Sequence, residues 1–167
     1  MTDLSGKVAL VTDSARGIGK AVAERFELLG ANIVVNYSSD EKNARETVEN
    51  IRKQNVRAVA IKADVAKVAE IEALFSATLQ EFGKLDIVVA NAGREIVDLP
   101  IVNATEVDFD RIFAANDKGV YFTLQQAAKH VADNGRIIYV GSSSTAFAIR
   151  SLGLYGGSKM APRSWIA

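Results

Sequence analysis

The chain has no cysteine, one histidine, two prolines and one tryptophan in 167 residues. Without cysteine there are no disulfides, no thiolate metal ligands and no thiol nucleophile. A lone His130 excludes multi-histidine metal sites, and no acid stands at a spacing that would build a Ser–His–Asp triad around it. No metal is expected. An excess of charge of one sign is also missing, since 20 Lys and Arg balance 20 Asp and Glu. That balance argues against nucleic acid or an acidic membrane surface as a partner recruited by bulk charge. No apolar run reaches membrane-spanning length, and Met1–Lys7 does not read as a signal peptide. The expectation is a soluble, cytoplasmic protein whose residues 1–167 form one domain.

What is present is a regular alternation of two patterns. Val8–Val11, Ile33–Val35, Ala58–Ile61, Ile87–Val89 and Ile137–Val140 are continuous apolar runs, which suit strands buried on both faces. Between them lie helical stripes. Ile18, Val22, Phe26 and Leu29 form one, ended by Gly30. Asp40–Gln54 is polar apart from Ala44, Val48 and Ile51, and Val68–Phe82 is closed by Gly83. Phe109, Ile112, Phe113, Val120, Leu124 and Ala127 predict one long helix, with His130 late in it. Strand and helix alternate from end to end, which predicts an α/β fold: a doubly wound parallel sheet of Rossmann type with right-handed crossovers.

Three segments carry chemistry. Thr12–Gly19 follows the first strand and opens the first helix, where glycines let backbone N–H groups approach a pyrophosphate. Its plain alternative is a packing turn. Tyr155 and Lys159 are four apart and so share a helix face. Carbonyl reduction needs a proton donor beside the hydride acceptor, and a free phenol, with a pKa of about 10, gives up its proton reluctantly at neutral pH. A cation about 4 Å away at an effective dielectric near 20 favours a phenolate by about 4 kcal/mol. Ser142, 13 residues before Tyr155 at the end of the fifth strand, offers a hydroxyl to a developing oxyanion, with Ser143 as runner-up. Asn116 interrupts the apolar stripe of the long helix, and a buried amide must find partners there.

On these residues the chain resembles the short-chain dehydrogenase/reductase family, and within it the 3-oxoacyl-[acyl-carrier-protein] reductases. Thr12, Gly17 and Gly19 match the family's TGxxxGxG loop, Ala90–Gly93 its NNAG segment, and Asn116, Ser142, Tyr155 and Lys159 its tetrad in order and spacing. The resemblance implies hydride exchange between a nicotinamide cofactor and a small carbonyl or alcohol. Tyr155 would give or take the proton, Lys159 would ease that transfer and bond the nicotinamide ribose, Ser142 would steady the substrate oxygen, and Asn116 would hold a water near Lys159. It also implies cofactor contacts at Asp13, Ser14, Arg16, Gly17, Ile18, Gly19, Tyr37, Ser38, Asp64, Val65, Asn91, Ala92 and Gly93, besides Tyr155 and Lys159. The second strand ends without an acid before Asp40, and Arg16 can fork onto a 2′-phosphate. Both favour NADP (NADPH) over NAD.

Two departures shape the expectation. Asp13 stands where the family has Gly. A carboxylate at ~5 Å from a phosphate charge is repelled by about 0.8 kcal/mol in water and about 3 at a dielectric of 20, roughly a 4- to 200-fold loss of affinity. The family runs to about 250 residues, so the resemblance predicts a sheet lacking the family's last two strands, with the fifth strand an exposed edge. Trp165 and Ile166 would have little partner surface, and Pro162 would cost a helix bond. The family's fourth and fifth helices form a dimer interface, so a homo-oligomer is expected there if those helices persist. Three readings stay open: an NADP-dependent reductase or dehydrogenase, a non-catalytic nucleotide-binding module, and a fragment active only in association.

Overall fold

In the computed structural model, residues 2–165 are described, and Met1, Ile166 and Ala167 lie outside them. The elements are β1 (Val8–Val11), α1 (Gly17–Glu27), β2 (Asn32–Tyr37), α2 (Glu41–Arg52), β3 (Ala58–Lys62), α3 (Val68–Phe82) and β4 (Ile87–Ala90). They continue as α4 (Glu106–Phe113), a π-helical turn (Ala114–Gly119), α5 (Val120–His130), β5 (Arg136–Tyr139) and α6 (Gly153–Ser164). The strands form one parallel sheet in the order β3-β2-β1-β4-β5. The order reverses between β1 and β4, and in such sheets the crevice beyond the strands' carboxyl ends is the place for a ligand.

The central strands β1, β2 and β4 are buried on both faces because both are covered. Ala9, Val11, Ile33 and Val35 pack with Ala23 of α1 and Ala44 and Ile51 of α2. Val8, Leu10 and Val34 pack with Ile71, Leu74 and Phe75 of α3 and Ala127 of α5. A fully buried side chain such as Phe75 stabilises the fold by roughly 1.5–3 kcal/mol. At the strands' amino ends, away from the crevice, Asp86 accepts from the Val8 N–H at 2.9 Å and pairs with Lys7 at 3.2 Å and Lys84 at 3.0 Å.

Several expectations change. The long helix over 109–127 is two α-helices joined by the π turn at 114–119. Phe109 is exposed and stacks on Phe113 at 4.2 Å rather than entering the core. Ile18 is 65% exposed, because the start of α1 faces the crevice instead of the sheet. Trp165 does find a partner, standing edge-on to Tyr121 at 5.1 Å. Pro162 is buried within α6, which continues to Ser164. Ile137 and Ile138 of β5 are partly exposed, as an edge strand requires. Among the described residues, no helix is long and apolar enough to cross a membrane.

Candidate active site

The floor of the crevice is tied by one hydroxyl. Thr12 Oγ1 accepts from the N–H groups of Asn91 and Ala92, both at 2.9 Å. Asn91 Nδ2 returns a bond to the Thr12 carbonyl at 2.9 Å and another to that of Asp13 at 3.2 Å. The ends of β1 and β4 are thereby locked together. Gly19 lets α1 start against this knot: a Cβ there would lie 2.6 Å from Asn91 Nδ2 and would collide with the Asp13 carbonyl. Arg16 precedes the helix in extended conformation and offers no side-chain cap, so the first N–H groups of α1 are free to take an anion.

Asp13 turns the loop with φ +50°, a left-handed conformation that Asp and Asn adopt more readily than most residues. Its N–H donates to Asn36 Oδ1 at 3.1 Å, and Asn36 Nδ2 reaches the Ala63 carbonyl at 3.0 Å, so the loop is tied to β3 through β2. Burial pushes the Asp13 carboxyl up; Arg16 and Arg94 oppose that shift, and Asp40 adds to it. Ser14 is fully buried and donates to the Val11 carbonyl at 2.7 Å. It shapes the loop from inside rather than lining the crevice.

Asn116 lies in the π turn and is fully buried. Its Oδ1 accepts from the Arg94 N–H at 2.7 Å, and its Nδ2 donates to the Arg94 carbonyl at 2.8 Å and to Ser158 Oγ at 2.9 Å. The amide therefore fastens the segment after β4 to α6. Lys159 is buried beside it, and burial pushes its ammonium down. Its Nζ donates to the Val140 carbonyl at 3.5 Å and stands 5.4 Å from the centre of the Tyr139 ring. The Tyr139 hydroxyl is itself pushed up to about 12 by burial, with Tyr155 and Asp117 adding to it. Sequence reasoning missed this tyrosine; a large aromatic just before Gly141 was its signal.

Two adjoining hollows lie in the crevice. Arg16 and Asp13 line both. The larger also opens onto Gly17, Ile18, Asn91, Gly141, Tyr155 and Lys159. The smaller is walled by Asn36, Ser38, Asp64, Val65 and Ala92, and Gly93 borders both. The sequence pattern of the short chain dehydrogenase family matches residues 7–167. The chain belongs to the short-chain dehydrogenase family.

Relatives within the family agree along the whole chain. A hydroxynaphthalene reductase-like protein Arp2 of Metarhizium majus is 48% identical over 159 residues, 95% of this chain and 59% of that protein. The short chain dehydrogenase claC of Passalora fulva is 41% identical, over 98% of this chain and 61% of its own length. The chain thus spans about three-fifths of the curated relatives it matches. Among solved structures, a short chain dehydrogenase from Burkholderia cenocepacia in complex with NADP has a TM-score of 0.93 at 34% identity, over 97% of this chain and 66% of its own. The landomycin C-6 ketoreductase LanV, with bound NADP and rabelomycin, has a TM-score of 0.91 at 37% identity, over 98% of this chain and 69% of its own.

Besides Ser14, three expected contacts of a short-chain dehydrogenase do not border the hollows. Tyr37 is buried in the core under α2, and its neighbour Asn36 takes the crevice side of β2. Gly19 packs beneath the loop instead of lining it. Ser142 caps a short 3₁₀ turn, its Oγ 2.8 Å from Ser144 Oγ, and does not border either hollow, although Gly141 does. Asp40 caps α2, accepting from the Asn43 N–H at 3.2 Å and its side-chain amide at 2.7 Å. No group of three or more His, Cys, Asp or Glu fit to hold a metal occurs among the described residues.

Proposed function

We propose that this chain carries the nucleotide cleft and catalytic face of an NADP-dependent oxidoreductase that interconverts a carbonyl and an alcohol. The observation that carries it is the larger hollow, which Arg16, Gly17, Tyr155 and Lys159 border together. The free N–H groups of α1 fit a dinucleotide's phosphates. Once bound, a nicotinamide dinucleotide supplies the hydride or accepts it.

The chain's own groups do the rest. Tyr155 gives a proton to the reduced oxygen, or takes one from an alcohol. The buried ammonium of Lys159 eases that transfer and holds the nicotinamide ribose. Ser142 turns its hydroxyl from Ser144 toward the substrate oxygen. Arg16 takes the 2′-phosphate, and Asp40, spent on its helix cap, is not free to claim a ribose hydroxyl. Hydroxynaphthalene-type ketones are the first substrates to try, since reductases of that description are 48% identical to this chain. Val107, Phe109 and Tyr121 stay exposed along α4 and α5, which together make the expected fourth helix, and Met160 along α6, the expected fifth, which supports association of two copies there. Asp13 favours a second reading, nucleotide binding without turnover.

Tyr155→Phe tests the catalytic reading. It removes one oxygen from a group bordering the hollow, so turnover of a naphthalenone with NADPH is lost while NADPH binding stays. Retained turnover sinks the assignment. Binding without any turnover in the parent chain favours the second reading.

A further inference from the structure

Arg94 is not among the residues the resemblance assigns, yet its backbone is firmly held at the crevice. The paired bonds from Asn116, at 2.7 and 2.8 Å, fix its N–H and carbonyl. Arg94 borders both hollows, as do Asp13 and Arg16. From there it reaches Asp64 Oδ2 at 3.4 Å, in a pair whose side chains are 43% and 26% exposed. A long contact between partly exposed groups contributes little, so the guanidinium is free to exchange it for a better acceptor.

The charges around it define that acceptor. Asp13, Asp64 and Glu95 face Arg16, Arg94 and Lys159 across the two hollows. Three carboxylates balance three cations, so the side chains of the lining carry no excess positive charge. A diphosphate-bridged dinucleotide brings at least two negative charges to the N-terminus of α1, beside Asp13. Arg16 sits at the outer rim, next to the cap of α2 that holds Asp40. Lys159 is committed to the far end, against Gly93 and Val140. Arg94 borders both hollows from a fixed backbone, with a planar fork that matches a phosphate.

We propose that Arg94 is the arginine that holds the diphosphate of the bound dinucleotide, releasing Asp64 to do so and offsetting the repulsion of Asp13. The inference rests on the dinucleotide reading above. It assigns Arg94 to the part shared by NADPH and NADH, whereas Arg16 reads only the part in which they differ.

Titration of the whole chain with NADPH, NADH and adenosine separates these roles. Arg94→Met weakens NADPH and NADH by the same factor, about tenfold for one charge-assisted contact, and leaves adenosine, which has no phosphate, unchanged. The salt dependence of dinucleotide binding flattens in parallel. A loss confined to NADPH would place the guanidinium on the 2′-phosphate and overturn the proposal. An equal loss for adenosine would place it on the base, and unchanged affinities would leave it a surface cation; both also overturn it. If Arg94→Met does not fold, Arg94→Gln, a neutral side chain on the same clamped backbone, gives the same comparison. A parent chain that binds neither dinucleotide sinks the reading above along with this one, whereas a parent that binds both isolates Arg94.

Discussion

A Cβ added to Gly93 would stand 2.9 Å from Lys159 Nζ and 3.2 Å from Asn116 Oδ1. Gly93 is therefore the space into which the ammonium fits. The closest atom is the tip of a flexible side chain, which can retreat, while the Asn116 amide is fixed by three bonds.

Gly93→Ala should accordingly leave the fold intact and displace Lys159 from its seat. The expected outcome is a melting temperature within a few degrees of the parent and a turnover reduced by about tenfold or more, as for a misplaced catalytic group. Parallel melting curves and steady-state rates check it. A large loss of stability would show that the amide, not the ammonium, takes the strain.

Asp13→Gly removes a carboxylate from the phosphate loop and suits the backbone at φ +50°. Relief of strain is offset by the greater freedom of glycine in the unfolded chain, so stability changes little. NADPH affinity rises by about tenfold. Because burial raises the Asp13 carboxyl, the parent chain's affinity should also improve as pH falls and that group takes up a proton. The glycine variant should lack this component, which titrations across pH would reveal.

Arg16→Ala tests nucleotide choice. NADPH affinity falls by roughly ten- to a hundredfold, the range for a charge-assisted contact, and NADH affinity holds. Equal losses for both would assign Arg16 to their common part.

Asp86 controls acid stability. Burial pushes its carboxyl up, but the contacts from Lys84, the Val8 N–H and Lys7 outweigh that, so it ends below the ordinary value of 3.8. A carboxyl lowered by folding stabilises fully above its unfolded value, and that contribution is lost as pH falls through the folded one. The parent should therefore lose stability below about pH 4, and Asp86→Asn should be less stable at neutral pH with a flatter acid limb. Thermal melts from pH 3 to 7 read both.

The sheet was legible because burial on both faces writes itself as unbroken apolar runs: Val8–Val11 is a strand as read, and the run Ile87–Val89 is a strand that extends one residue further, to Ala90. The π turn was not, because one extra residue in a helical turn leaves the stripe Ile112, Val120, Ala127 intact. Only Asn116, polar on that stripe, hinted at it. At the end of β2 the choice between Asn36 and Tyr37 depends on which face of the pleat meets the crevice, and that is fixed by pairing with β3. Arg94 escaped notice because Asn91–Gly93 before it matches a motif, and a charge after a motif reads as solvent-facing.

The knot made by Thr12 has a consequence for the order of assembly. Its bonds to Asn91 and Ala92 join positions 79 and 80 residues apart, and contacts of such span form late and slowly. During synthesis the glycine loop leaves the ribosome long before its other half exists. Nucleotide capture on the nascent chain must wait until β4 has emerged and settled beside β1.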